Sequence, residues 1–360
     1  VVWAAIALLR NLTSRSLLSN NASAIAAQVA MILIGLPIFL VHWLWAQRSA
    51  RSDAAERASA VRRLYLDSML LAFIIPIVNS TRLLAEILLE NLLRMRIEPL
   101  PLDTDLRFSA IALIVTLIMG TYHWHVRRQD DEKVRQEDAS VIIDQLFIYL
   151  LVIAGLLLSA FGVAGIIRFI VKSISASTVT PFDRDALAAN LALIIAGLPL
   201  WTISWQRAQH RFADGDVWEH SSVVRKASLY LIVFVSSLTA VVTAAILLAN
   251  LLLELLQVPS SSGGFGNAVA IIIVSAVIWA YHTWVLQQDA EVAKTVGQAA
   301  AVRRIYLYLD SGVGLTAVLV GAGGNLTVLI RALSGPGLGL DLREQLAWFT
   351  AALIAGPVSY

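Results

Sequence analysis

Long apolar runs separated by short charged stretches set the pattern of this chain. Phe108–Val126, Gln145–Ile167, Ala186–Gln206 and Ala227–Leu253 contain no Asp, Glu, Lys or Arg and run for 19, 23, 21 and 27 residues. About 20 residues of helix cross the hydrocarbon core of a bilayer, roughly 30 Å thick. Inside lipid the backbone must satisfy its own hydrogen bonds, so such runs are helices. The pattern predicts eight spans. Four shorter A helices cover 22–46, 106–128, 183–207 and 267–288, and four longer B helices cover 62–93, 141–172, 224–256 and 302–333. Residues 345–360 begin a fifth A helix, and residues 1–9 read as the tail of an earlier B helix.

The runs repeat. Each A helix ends at a tryptophan followed by Gln or Arg: Trp43 with Gln47-Arg48, Trp124 with Arg127-Arg128, Trp205 with Gln206-Arg207, and Trp284 with Gln287-Gln288. These tryptophans stand 81, 81 and 79 residues apart. A basic-aromatic motif then opens helix B as Arg62-Arg63-Leu64-Tyr65, Arg225-Lys226 with Tyr230, and Arg303-Arg304-Ile305-Tyr306. Asp144-Gln145-Leu146-Phe147 departs from it. A fixed period of this kind predicts tandem helix pairs: 1–18 (tail of a preceding unit), 19–97, 98–176, 177–259, 260–335 and 336–360 (start of a fifth). The fold class is therefore all-α integral membrane, built of parallel two-helix repeats of about 80 residues, with eight complete and two partial spans. Parallel units argue against the inverted repeats of many secondary transporters.

Composition agrees. The chain is 58% hydrophobic and 14% charged, with mean hydropathy +0.74, far from the balance of a soluble domain. A net charge of +2 and the lack of a basic run exclude a nucleic-acid partner, and zero cysteines exclude disulfides and thiolate sites. Both ends break off in hydrophobic text, and the period places a further tryptophan near position 363, so the sequence reads as a window on a longer array. The A-to-B connectors (48–62, 127–141, 207–224 and 288–302) and their edges hold 16 Lys and Arg against 9 on the other side. The positive-inside rule then makes these connectors cytoplasmic, in a bacterial inner membrane.

The Trp-terminated helix A and the dibasic-aromatic opening of helix B resemble an uncharacterised bacterial membrane-repeat family, domain of unknown function 5671. The residues that carry the resemblance are Trp43 with Gln47-Arg48, Trp205 with Arg207, Arg62-Arg63-Leu64-Tyr65 and Arg303-Arg304-Ile305-Tyr306. It covers nearly the whole chain and implies multi-helix membrane repeats, without a known activity or site.

Candidate chemistry is sparse. His42 and His123 precede a repeat tryptophan, whereas His282 lies two before Trp284, a rotation of about 100° on a helix. Such histidines can ligate haem or bacteriochlorophyll. The alternative is an interfacial belt with the anchors Trp43, Trp124, Trp205 and Trp284, and the offset at His282 favours it. Arg82, Glu86 and Glu90 share one face of a B helix at spacing four, as an interfacial or intramembrane cluster. Arg168 and Glu254 are the other candidate polar positions. Asp67 and Asp310 follow a dibasic pair and are expected to bond Arg63 and Arg304. The glycine clusters Gly263-Gly264-Phe265-Gly266, Gly321–Gly324 and Gly335-Pro336-Gly337 match no phosphate loop. No catalytic or metal-binding motif stands out, so no enzyme, metal or cofactor is expected. The expected function is a non-enzymatic scaffold or accessory subunit, with the bilayer and other membrane proteins as partners. A transporter or channel made from a quasi-cyclic bundle of helix pairs, lined by those charges, is the alternative. A haem- or bacteriochlorophyll-binding subunit is the weaker one.

Overall fold

A computed structural model describes residues 1–13, 22–93, 104–133, 138–175, 180–214, 220, 222–259, 264–292, 298–335 and 337–358. Among these residues eleven helices form and no strand. They are α1 (Val2–Thr13), α2 (Ala22–Ser52), α3 (Ala54–Ala58), α4 (Ala60–Leu93), α5 (Thr104–Lys133), α6 (Asp138–Ser175), α7 (Pro181–Ala213), α8 (Val223–Leu255), α9 (Phe265–Val292), α10 (Gln298–Ser334) and α11 (Leu340–Val358). Eight of them, α2 and α4 to α10, are long and apolar enough to cross a membrane. Gly263 and Pro336 of the glycine clusters lie outside the described residues, as do Arg15, Arg94, Arg96, Arg135 and Lys294, which belong to the Lys and Arg tally above.

Most helices run past the lengths read from hydropathy. α2 continues to Ser52, α5 to Lys133 and α9 to Val292. Charged connector residues are good helix formers once they clear the apolar core, and continuing the helix keeps its hydrogen bonds closed. The 34 residues of α4 extend about 50 Å at 1.5 Å each, well beyond a hydrocarbon core of about 30 Å. The dibasic motifs therefore sit at helix ends rather than at bilayer depth. The short α3 was not expected. Asp53 starts it, its carboxylate accepting from the Ala55 amide at 2.8 Å. α8 stops where Gln257 turns left-handed (φ 58°) and the Val258 amide donates back to Leu253 O at 2.9 Å.

The chain packs as two compact units. The first comprises Val1–Ser159 and Thr180–Trp205, the second Ala160–Val179 and Gln206–Tyr360. In the first, α4 lies along α5, and α1 contacts α2 and α5. In the second, α8 lies along α9 and also meets α10 and α11, while α10 and α11 pair closely.

Close backbone approach holds one helix pair in each unit. A Cβ added to Gly197 would lie 2.6 Å from Leu158 Cβ and 3.1 Å from the carbonyl oxygen of Gly155. At Gly356 the same atom would lie 2.9 Å from Val318 N and 2.8 Å from Gly314 O. Gly155 and Gly314 stand 159 residues apart, as do Gly197 and Gly356. Apolar side chains gain nothing from leaving lipid, so small residues that let backbones touch supply the packing. A second contact recurs as well. Arg184 Nη1 donates to Leu93 O at 3.4 Å, and Arg343 Nη1 donates to Leu256 O at 3.2 Å.

Candidate functional site

The chemistry of both units gathers where the start of a B helix meets the end of the following A helix. Arg62 is the third residue of α4, and Asp130 lies in the last turn of α5. Arg62 Nε donates to Asp130 Oδ2 at 2.8 Å, and Arg62 Nη2 donates to Gln47 Oε1 at 3.2 Å. In the second unit Arg225, third in α8, does the same. Its Nε and Nη2 donate to Asp289 Oδ2 and Oδ1 at 2.7 and 2.9 Å, and Nη2 also donates to Gln209 Oε1 at 2.7 Å. The Arg225 guanidinium lies 4.3 Å from the Phe212 ring centroid and is 0% exposed. Ser222 caps α8 by accepting from the Arg225 amide at 3.0 Å.

Each of these charges opposes its own helix. A cation at a helix N-terminus and an anion at a C-terminus both run against the macrodipole. Antiparallel packing brings the two misplaced charges together, and the Arg–carboxylate pair, bidentate at Arg225–Asp289, satisfies both.

The first unit carries a second layer of charge. Arg63 Nη1 donates to Asp131 Oδ1 at 2.5 Å, and Arg63 Nη2 is 2.9 Å from Asp144 Oδ1. Arg127, 1% exposed, donates through Nε to Asp67 Oδ1 at 2.6 Å and through Nη2 to Asp144. Its guanidinium also stands 5.3 Å from the ring centroids of Trp124 and Phe147. Three arginines and four aspartates thus share one buried layer, with only Asp131 partly exposed. Asp144 occupies the slot that is arginine in the other B helices, and its reversed sign answers Arg63 and Arg127. Leu286 and Arg303 stand 159 residues after Arg127 and Asp144, and Tyr230 stands 163 after Asp67. The second unit therefore has no copy of this layer among the described residues.

Below the charges lies an aromatic cluster. Trp43 Nε1 donates to the Tyr122 hydroxyl at 2.8 Å, and His123 sits 5.4 Å from Trp43, 5.1 Å from Phe73 and 5.3 Å from Tyr122, centroid to centroid. His123 Nδ1 donates to Met119 O at 2.8 Å, and Nε2 is buried without a hydrogen-bond partner among the described residues. His282 repeats the arrangement. It donates to Ile278 O at 2.8 Å, with Tyr281 edge-on at 5.0 Å.

These contacts align His123 with His282, each seven residues before its aspartate, and correct the expected rotation of His282. The tryptophan is the residue that shifts. The belt reading also divides. Trp43, Trp205, His123 and His282 are buried within protein, whereas Trp124, Trp284 and His42 are exposed. Burial follows register, because a side chain one or two positions away on a helix points at a different neighbour. His42 Nδ1 donates to Ile38 O at 2.8 Å, so all three histidines use one ring nitrogen on the preceding turn.

The remaining candidates stay apart. Arg82 pairs with Glu86 along α4, both partly exposed, and Glu90 is half-buried one turn on. Arg168 is exposed and donates to Asn267 Oδ1 at 3.4 Å, and Glu254 is exposed. Sequence reading placed Arg62 and Arg225 at the openings of B helices and counted them with the connector charge, so it missed their pairing. Charges set against the helix dipole were the available signal.

The architecture defines a polytopic, all-helical membrane protein. Within that class, the chain belongs to the family described as domain of unknown function 5671, whose profile matches residues 1–118 and again 145–265, well over half of the sequence. No curated protein and no solved structure matches it.

Proposed function

We propose that the protein is a non-enzymatic scaffold or accessory subunit of a larger membrane assembly in a bacterial inner membrane, with its A-to-B connectors on the cytoplasmic side. One observation carries the reading: the charges buried where the helix ends meet are committed to one another. Gln47–Arg62–Asp130 and Gln209–Arg225–Asp289 spend their hydrogen bonds on joining helices in the same way in both units. A pore or a catalytic centre would instead need polar groups left available to solute. Of the charges expected to line a transport path, Arg82 and Glu86 pair with each other and Arg168 donates to Asn267, while Glu90 is half-buried and Glu254 exposed. Orientation rests on the excess of Lys and Arg in the connectors, which acts during insertion, before Arg62, Arg63, Arg127 and Arg225 find their aspartates.

Extraction of the tagged protein from native membranes into lipid nanodiscs tests the proposal. Co-isolation with other membrane proteins at constant stoichiometry is the expected result. A lone, monodisperse monomer recovered under the mildest extraction would overturn it.

A further inference from the structure

The second unit holds a cavity of about 280 Å³ lined by Ser237 and Val241 of α8, Ala276 and Trp279 of α9, and Tyr306 and Asp310 of α10, among others. Asp310 lies within a candidate membrane span, where an ionisable side chain is costly and marks function by default. Among the described residues no cation makes an ion pair with it. The expected partner, Arg304, is exposed, and six residues of helix put the two side chains about 120° apart. Asp67, four residues after Arg63, is offset by only about 40° and makes its pair. Ser237 gives its hydroxyl proton to Phe234 O at 3.0 Å, leaving the carboxylate as the charged group of the lining.

The first unit shows that the fold does not require this cavity. The register set by Gly155 and Gly314 places Tyr306 in the slot of Phe147 and Asp310 in the slot of Leu151. Phe147 and Leu151 are buried core residues, 5% and 8% exposed. Where one unit packs a phenylalanine and a leucine, the other has a tyrosine and an acid facing open volume. Tyr306 is held in place by Tyr230, ring centroids 5.2 Å apart, and by Phe234, edge-on at 6.4 Å.

We propose that this cavity binds a small lipophilic cation, a quaternary or protonated amine with an apolar or aromatic body. Asp310 supplies the counter-charge, the rings of Trp279 and Tyr306 supply π faces for the cation, and the apolar wall takes the ligand's hydrocarbon. The volume falls just below the usual range of small-molecule sites, which suits a small ligand. This site is separate from the ion-paired layers and does not depend on the scaffold reading.

Equilibrium dialysis of benzyltriethylammonium against the purified 360-residue chain in neutral maltoside micelles tests it. Saturable binding near one cation per chain is expected, at least tenfold weaker in Asp310→Asn. Ala276→Phe, which keeps the acid and fills the cavity, should weaken it comparably. Equal uptake by wild type and Asp310→Asn, or by wild type and Ala276→Phe, would mean partition into the micelle and overturn the proposal. So would no saturable uptake by the wild type. Circular dichroism and gel filtration of each variant separate lost binding from lost fold.

Discussion

The two units use the same helix order and the same Gln–Arg–Asp contact, yet fill the space beside it differently. The first surrounds it with Arg63, Arg127, Asp67, Asp131 and Asp144. The second has Leu286 and Tyr230 at the corresponding slots, a tyrosine pair, and a cavity below. The shared contact is what the packing of these helices demands, because it cancels charges set against two helix dipoles. The additions are particular to each unit. A buried ionic layer is weak evidence for stability, since desolvation offsets much of the attraction, but breaking one partner away is severe.

The sharpest test of that difference is Arg127→Leu, which puts the second unit's residue into the first. It leaves the Asp67 and Asp144 carboxylates with Arg63 as their shared counter-charge, and a loss of about 3–5 kcal/mol is expected. Thermal unfolding in detergent should show it as a collapse in midpoint. Replacing Arg127, Asp67 and Asp144 together by Leu, Asn and Asn should recover most of the loss, and no recovery would mean that the layer's value lies outside its charge balance.

Gly197→Val and Gly356→Val come next, at about 1–3 kcal/mol each from overpacking against backbone. The two should cost alike, because the contacts they break are alike; a cost in only one unit would show that the glycine pairs are not equivalent. Gln209→Leu and Gln47→Leu remove a hydrogen bond to a charged group, worth about 1.5–3 kcal/mol where the geometry is good. The 2.7 Å contact to Arg225 should cost more than the 3.2 Å contact to Arg62, and the reverse order in unfolding midpoints would contradict the geometry. Smallest of all is Glu86→Gln. A partly exposed pair at spacing four contributes at most about 0.5 kcal/mol, so a shift in midpoint beyond that would give the cluster a role that its placement does not suggest.

Much of the fold was legible in the text. Runs such as Gln145–Ile167 become helices because lipid leaves the backbone no alternative, and the eight spans appear where hydropathy placed them. Helix ends were less legible, since residues such as Arg48 and Glu132 permit a helix without requiring one. The site was hidden for a different reason. Arg62, Arg225 and Asp289 look like connector charge in a linear reading, and Asp144 looked like a degenerate copy of a motif when it is the counter-charge to Arg63 and Arg127. The tryptophan period also misled at His282, because the histidine and aspartate keep register while the tryptophan does not.

By itself, then, the sequence determined the class and the number of spans, and its small residues made close helix contacts possible. These are local consequences of hydropathy and of side-chain size in an apolar solvent. Only the tertiary structure decided which charges meet, which rings are buried and where a carboxylate is left facing a cavity. Those outcomes turn on helix rotation and antiparallel register, where a shift of one residue turns a side chain by about 100° toward a different neighbour.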